Sequence, residues 1–222
     1  MYRNQTEWMQ AFVACDALYT HDNDPRRPHA VLVEGGHSAT VFDGDKFTKQ
    51  SWRLNEAASD LVDRLMTKGL DVNRVDCVVG PAMGGVPIAQ AISMQISKRQ
   101  TIPHCTWAYT EKRSRKGRKW MVFRRTSIRA GELVLLCDDI VTEGGTKERM
   151  LEAVLNAGGI PVPFLALLFN RSGEKEIRGL SITSLVHKQY PVWKADDCPL
   201  CRIGSKPMRV KGNNWNKFTA TY

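Results

Sequence analysis

Two adjacent carboxylates, Asp138 and Asp139, stand between an apolar run, Leu133–Leu136, and a loop that ends in Gly144, Gly145 and Thr146. Small and hydroxyl residues let several backbone N–H groups converge on one point. A helix starting there adds the partial positive charge of its N-terminus, so the loop suits a phosphate. The carboxylates repel that phosphate and are better matched to the hydroxyls of a vicinal diol. A loop for a 5-phosphate beside acids for the 2- and 3-hydroxyls is a site for ribose 5-phosphate. The other reading of the same residues is a Rossmann-like strand whose acids serve packing or solubility. The spacing fits neither the Walker loop nor the Gly-x-Gly-x-x-Gly fingerprint.

The flanking elements are those such a site needs. Leu133–Leu136 reads as a strand buried on both faces, and Met150, Leu151, Val154 and Leu155 mark one face of a helix beginning near Thr146. A second unit of the same kind lies upstream. Strand Val75–Val79 runs into Gly80-Pro81-Ala82-Met83-Gly84-Gly85, and a helix follows through Ile96. One glycine loop is a weak signal, whereas two in one chain, both after apolar strands, point to a parallel sheet with anion sites at its carboxyl edge.

Between the two units, strand His104–Tyr109 leads into EKRSRKGRK and then Trp120–Phe123. The cations Lys112, Arg113, Arg115, Lys116, Arg118 and Lys119 are too dense for a packed element. They form either a solvated hairpin tip or a mobile arm over a polyanionic substrate. The formal net charge of +9 fits a pyrophosphate-bearing substrate or nucleic acid.

The periodicity further predicts a helix over Thr6–Leu18, a hairpin of Ala30–Val33 and Ala39–Phe42, a helix over Thr48–Lys68, and strands Ile160–Phe169 and Gly179–Val186. At 222 residues, one well-buried domain is expected. Its parts are an N-terminal helix and strands (1–45), a core (70–187) and a polar, turn-rich tail (188–222). No apolar run reaches membrane-span length, and MYRNQTEWMQ lacks a signal peptide's layout, so the chain is expected in the cytoplasm without a membrane partner. Cys15, Cys77, Cys105 and Cys137 suit buried free thiols. Cys198-Pro199-Leu200-Cys201 supplies half of a zinc site or a redox-active pair. No second Cys or His pair lies near it in sequence, and His187 alone leaves the site one ligand short.

Five blocks in order, Gly35-x-His37-Ser38, Gly80–Pro87, the basic hairpin, Asp138–Thr146 and Asn170-Arg171-Ser172-Gly173, resemble the type I phosphoribosyltransferases, in particular the orotate-specific branch. The likeness runs from about residue 30 to 207, and the CPLC tail resembles one found in some bacterial members. The resemblance implies an α/β fold with a central, mainly parallel sheet flanked by helices and a small hood built from the N- and C-terminal segments. It implies transfer of a phosphoribosyl group from phosphoribosyl pyrophosphate (PRPP) to orotate, with Mg2+ carried mainly by PRPP. PRPP would lie on Asp138, Asp139, Ile140, Val141, Thr142, Glu143, Gly144, Gly145 and Thr146, with pyrophosphate on Ala82, Met83, Gly84 and Gly85 about a non-proline cis peptide. Lys112, with Arg113, Arg115 and Lys116, would form a catalytic arm closing over the neighbouring subunit of a homodimer. Thr142, Arg171 and Gly35 would serve the base.

The chain departs from that pattern at Glu34, at Glu111, at Glu143 and in an arm without histidine. Glu34 has to point away from an anionic base or pair with a cation, and Glu143 has to point out of the phosphate cradle. Thr142, where purine-transferring relatives carry an aspartate, favours a pyrimidine. Three alternatives remain. One is transfer to another base, one is a PRPP-binding regulator whose arm and Trp215/Lys217 tail contact nucleic acid, and one is a structural relative without activity.

Overall fold

The computed structural model describes residues 3–142, 144–209 and 214–220. Helix α1 (Gln5–Ala14) opens on a capping box, in which Asn4 and Glu7 each accept from the other's backbone N–H. It ends well before the expected Leu18. Asp16 takes a left-handed φ of 57°, and the chain enters strand β1 (Leu18–Thr20).

Strands β2 (His29–Val31), β3 (His37–Ser38) and β4 (Thr40–Phe42) follow. The expected hairpin forms only in part. Strand β2 pairs antiparallel with β3, while β4 leaves to pair with β1. The expected helix over Thr48–Lys68 is two helices, α2 (Gly44–Thr48) and α3 (Ser51–Thr67), because Gln50 has a non-helical ψ of 85° that breaks the turn. Leu54, Ala58, Leu61, Val62 and Leu65 of α3 are buried, as their spacing predicts.

The core continues as β5 (Cys77–Pro81), α4 (Gly85–Ser97), β6 (Thr106–Arg115), β7 (Arg118–Val122), β8 (Leu133–Val141), α5 (Gly145–Asn156), β9 (Ile160–Asn170), β10 (Glu176–Ile177) and β11 (Leu180–His187). These strands build one seven-stranded sheet in the order β10-β11-β9-β8-β5-β6-β7. The five inner strands are parallel and the two edge strands antiparallel. Strand β8 is central and buried on both faces. Leu135 and Cys137 pack with α1, α3 and α4, and Val134 and Leu136 with α5, as alternation along a strand requires. Leu155 of α5 is exposed rather than inward.

The β8–β9 register shifts between Val134, opposite Pro161, and Leu136, opposite Leu165. Pro161 and Pro163 have no N–H to donate to the ladder, so the irregularity falls where pairing is already weakest. The strand expected to end at Tyr109 runs on into the basic segment, which forms a hairpin. Strand β6 carries on to Arg115 and turns through Lys116 and Gly117, both at positive φ, into β7. The arm is thus an outgrowth of a core strand.

The tail adds α6 (Pro199–Arg202), β12 (Pro207–Arg209) and α7 (Trp215–Thr219). Strand β12 pairs parallel with β2, so the two ends of the chain make a three-stranded hood sheet, β12-β2-β3. Tyr19, Ala30, Val41, Trp215 and Phe218 form its own apolar cluster. Trp215 is therefore hood core, with its indole N–H donating to Asp16, and not a surface on which a base could stack. Phe12, Phe42, Phe47 and Phe169 join hood, helices and sheet through edge-to-face contacts, with Phe12 4.8 Å from Phe42 and 4.9 Å from Phe47. Among the described residues, no helix is long and apolar enough to cross a membrane.

Candidate active site

Parallel strands deliver their C-terminal ends to one edge, and the registers here align three of the expected blocks. Val79 of β5 lies opposite Leu136 of β8, and Pro81 opposite Thr110 of β6. The Ala82–Gly84 loop therefore sits between Asp138–Asp139 and the root of the arm. Ala82 N–H donates to Thr110 O at 2.8 Å. The Ala82–Met83 peptide is cis, as expected. Met83 is exposed at the tip of this loop.

The loop and the acids touch. A Cβ on Gly84 would stand 3.1 Å from the Asp139 carboxylate, and a Cβ on Gly44 would overlap it. Asp139 is thus held between the β5–α4 loop and the first residue of α2; a side chain at Gly44 would collide with it, and one at Gly84 would force it to give by a few tenths of an ångström. After β8, Gly144 takes φ +85° as the N-cap of α5, and Gly145 and Thr146 open that helix, so its unpaired N–H groups face the carboxyl edge. Thr142 is half-buried beside them, while Glu143 lies outside the described residues.

The charge balance contains one residue that sequence reading did not single out. Lys147 is buried, its ammonium 2.6 Å from Asp138 Oδ2 and also donating to the carbonyl of Ile140. Helical geometry carries the signal, because the third residue of α5 projects back over the loop toward the strand that precedes it. Asp138, buried and paired with Lys147, also accepts the N–H of Asp139. Asp139 Oδ1 accepts the N–H of Ile140, but among the described residues no cation pairs with it as Lys147 does with Asp138. Burial first, and then the Asp138 carboxylate, push its pKa up to about 8, against a smaller opposing pull from Lys147.

The expected base-side residues converge from another direction. Arg171 follows β9, its N–H donating to Val141 O, and its side chain is almost fully buried. The guanidinium donates to Ser38 Oγ at 2.7 Å and to Thr40 O at 2.8 Å, which ties the core to the hood, while Nε has no partner among the described residues. Burial draws its pKa down to about 10, which leaves it charged. Asn170 organises the turn after it by accepting from both Ser172 N–H and Ser172 Oγ–H. Gly35 sits at φ +96° in the exposed β2–β3 turn. Beside it Glu34 meets Lys119 of the arm at 3.6 Å, which answers the charge problem that Glu34 poses. Both partners are exposed, so the pair is weak and easily opened.

Lys112, Arg113, Arg115 and Lys116 are exposed along the arm. Glu111 instead faces Arg125 at 3.8 Å. His187 is hydrogen-bonded to Asn170, and two other histidines, His29 and His37, stand beside Cys198 and Cys201. The inference that no His pair completes the CPLC motif thus fails in space, though it holds along the chain.

The donors at the carboxyl edge fit Mg2+ held through a substrate's phosphates. Asp138 is engaged by Lys147 and Asp139 is packed against two glycines, so these acids form no closed cage, and Mg2+ would be held mainly by the phosphates themselves.

Asp139 has a consequence for stability. Its native pKa of about 8 lies above the ordinary 3.8, so between those values the folded chain binds more protons than the unfolded one. Its contribution to stability is complete at acid pH and is lost as pH rises through that window. Asp139→Asn removes the titration. The variant's Tm is expected to gain on the wild type progressively from about pH 5 to about pH 8. Thermal melts across that range check this, and a constant Tm difference would contradict it.

Comparison with known proteins agrees with this geometry. Residues 53–194 match the phosphoribosyl transferase domain. Orotate phosphoribosyltransferase of Acidithiobacillus ferrooxidans is 29% identical over 195 residues, covering 87% of this chain and 93% of that protein. The Thermotoga maritima protein of the same name is 31% identical over 178 residues, covering 79% and 86%. Among solved structures, orotate phosphoribosyltransferase from Aeropyrum pernix superimposes with a TM-score of 0.58 at 22% identity, covering 80% of this chain and 92% of that one. The matched segment holds both glycine loops, the arm, the acid pair and Arg171, and the chain belongs to the phosphoribosyl transferase domain family.

Proposed function

We propose that this protein transfers the 5-phosphoribosyl group from PRPP to orotate, giving orotidine 5-monophosphate and pyrophosphate. The observation that supports the reading is the close approach of Gly84 in the Ala82–Gly85 loop to Asp139, beside the N-terminus of α5, an arrangement suited to a pyrophosphate next to a ribose phosphate. The sequence relatives named orotate phosphoribosyltransferase support orotate as the acceptor. Thr142, a hydroxyl where a purine site would need a carboxylate, supports it further.

The division of labour follows from charge. The 5-phosphate sits on the N–H groups of Gly144–Thr146, the ribose diol on Asp138 and Asp139, and the pyrophosphate on Ala82–Gly85. For a diol to reach Asp138, Lys147 has to yield one carboxylate oxygen, and its other contact, the Ile140 carbonyl, keeps it in place meanwhile. Arg171, with an unused Nε donor, faces the orotate carboxylate once the hood adjusts. Bond breaking at C1 builds positive charge on the ribose and negative charge on the leaving group. Mg2+ bound to PRPP supplies charge neutralisation at that pyrophosphate. The arm cations Lys112, Arg113, Arg115 and Lys116 add to it and shut out water, so catalysis is alignment and preorganised charge with no nucleophilic side chain.

Purified protein with PRPP and Mg2+ is expected to consume orotate, followed by ultraviolet absorbance, and to leave uracil and hypoxanthine untouched. Asp138→Asn and Asp139→Asn should each abolish turnover, and Lys112→Ala should lower kcat by roughly 100-fold or more. Turnover with hypoxanthine but not orotate would sink the assignment. PRPP binding without turnover of any base would favour a regulator.

The exposed arm leads us to propose a homodimer in which each arm serves the neighbouring site. Mixed Lys112→Ala and Asp139→Asn proteins, each inactive, should then regain activity. Random pairing makes half the dimers mixed, each with one intact composite site, so recovery should approach about a quarter of the wild-type rate. No recovery after subunit exchange would place each arm over its own site.

A further inference from the structure

Four side chains that the proposed reaction does not use meet in the hood. His29 lies on β2, His37 on β3, and Cys198 and Cys201 bracket the start of α6. His29, His37 and Cys198 are buried and Cys201 is half-buried, and their potential ligand atoms all lie within 4.8 Å of one another. The chain brings them together across more than 160 positions through the parallel pairing of β12 with β2.

We propose that these four residues bind a structural zinc ion, with His29 Nε2, His37 Nδ1, Cys198 Sγ and Cys201 Sγ as a tetrahedral ligand set. The separations carry the proposal. Zn–N bonds near 2.0 Å and Zn–S bonds near 2.3 Å in a tetrahedron give N–S edges of about 3.5 Å. The sulfur of Cys198 lies 3.6 Å from His29 Nε2, and that of Cys201 lies 3.5 Å from His29 Nε2 and 3.4 Å from His37 Nδ1. The two ring nitrogens, at 2.9 Å, open by only about 0.4 Å to reach a tetrahedral edge.

The surrounding hydrogen bonds fix the tautomer that a ligand needs. Asn23 N–H donates to His21 Nδ1, so the proton of His21 is on Nε2 and is given to Arg27 O. Ser205 Oγ–H donates to the same carbonyl, which leaves Ser205 Oγ to accept from His29 Nδ1–H at 2.9 Å. His29 Nε2 therefore carries a lone pair directed at the two sulfurs. An outer partner that orients a ligating imidazole in this way is the usual companion of a zinc site. A thiol–imidazole hydrogen-bond cluster would satisfy two or three of these atoms, whereas one ion satisfies all four. All four ligands are filled by protein, so the site is closed and structural.

The ion would fasten the tail to the hood at one particular place. Ser38, next to His37, accepts from Arg171 and donates to Pro191 O. Zinc would thereby fix the hydroxyl against which Arg171 is set, and its loss should loosen the hood before the core. The zinc assignment does not depend on which base the protein uses.

The test is metal analysis of the full-length protein, purified without chelators and then dialysed against micromolar zinc. Elemental analysis should find about one zinc per chain. Cobalt exchanged into the wild type should give the intense visible bands of a tetrahedral ion together with thiolate-to-cobalt charge transfer in the near ultraviolet. Cys198→Ser/Cys201→Ser should fall below about a tenth of an equivalent. The cobalt spectrum is read on the wild type, so a misfolded variant leaves the test intact. Less than about a tenth of an equivalent in the zinc-exposed wild type, or an octahedral cobalt spectrum, would overturn the proposal. A folded double variant that keeps one zinc would do so as well, and so would a Cys198–Cys201 disulfide in the freshly isolated protein. A Tm lowered by chelation and restored by zinc would support it.

Discussion

Two neighbouring carboxylates at the end of a buried strand are the constraint from which the rest of this site follows. Both cannot be ionised in a closed space without compensation. The chain compensates only one of them. Lys147 reaches back from the first turn of α5 to neutralise Asp138, while burial and the Asp138 carboxylate push the pKa of Asp139, packed against Gly44 and Gly84, up to about 8. The resting site is thereby nearly neutral despite its two acids. A ligand that brings hydroxyls to the acids and phosphates to the two loops replaces the missing compensation.

That arrangement explains why several small residues are where they are. Gly84 and Gly44 leave the volume that Asp139 fills, and Gly144 takes the left-handed turn that starts α5 directly after β8. The sheet order makes these local features into one site. Because β8 and β5 are neighbours and parallel, two strand–loop–helix units that are about 60 residues apart in sequence open on the same edge. Strand β6, on the other side of β5, extends beyond that edge as the arm. Arg171 then ties the opposite flank to the hood through Ser38 and Thr40.

Much of this is legible in the amino-acid sequence. The apolar run, the acid pair and the glycine loops follow periodicities of two and 3.6, and their order already implies a parallel sheet with its site at the carboxyl edge. What could not be read depends on contacts between distant segments. The partner exchange of β3 and β4 rests on which hood strand each meets. The burial of Trp215 rests on α7 docking against Tyr19 and Val41. The pairing of Glu34 with Lys119 joins a hood turn to the arm. Most plainly, Cys198 and Cys201 look like half of a motif until the parallel pairing of β12 with β2 sets them beside His29 and His37. Lys147 was closer to hand, since the third residue of a helix following an acidic strand end is placed to reach it.

The central claim is that Asp138 and Asp139 hold a ribose diol while the Gly144–Thr146 loop holds its phosphate. Equilibrium titration with ribose 5-phosphate and with 2-deoxyribose 5-phosphate tests it most directly, because the two differ by a single hydroxyl. Loss of a hydrogen bond to the acid pair should weaken the deoxy compound by about fivefold or more. Equal affinities would place the diol elsewhere and contradict the account.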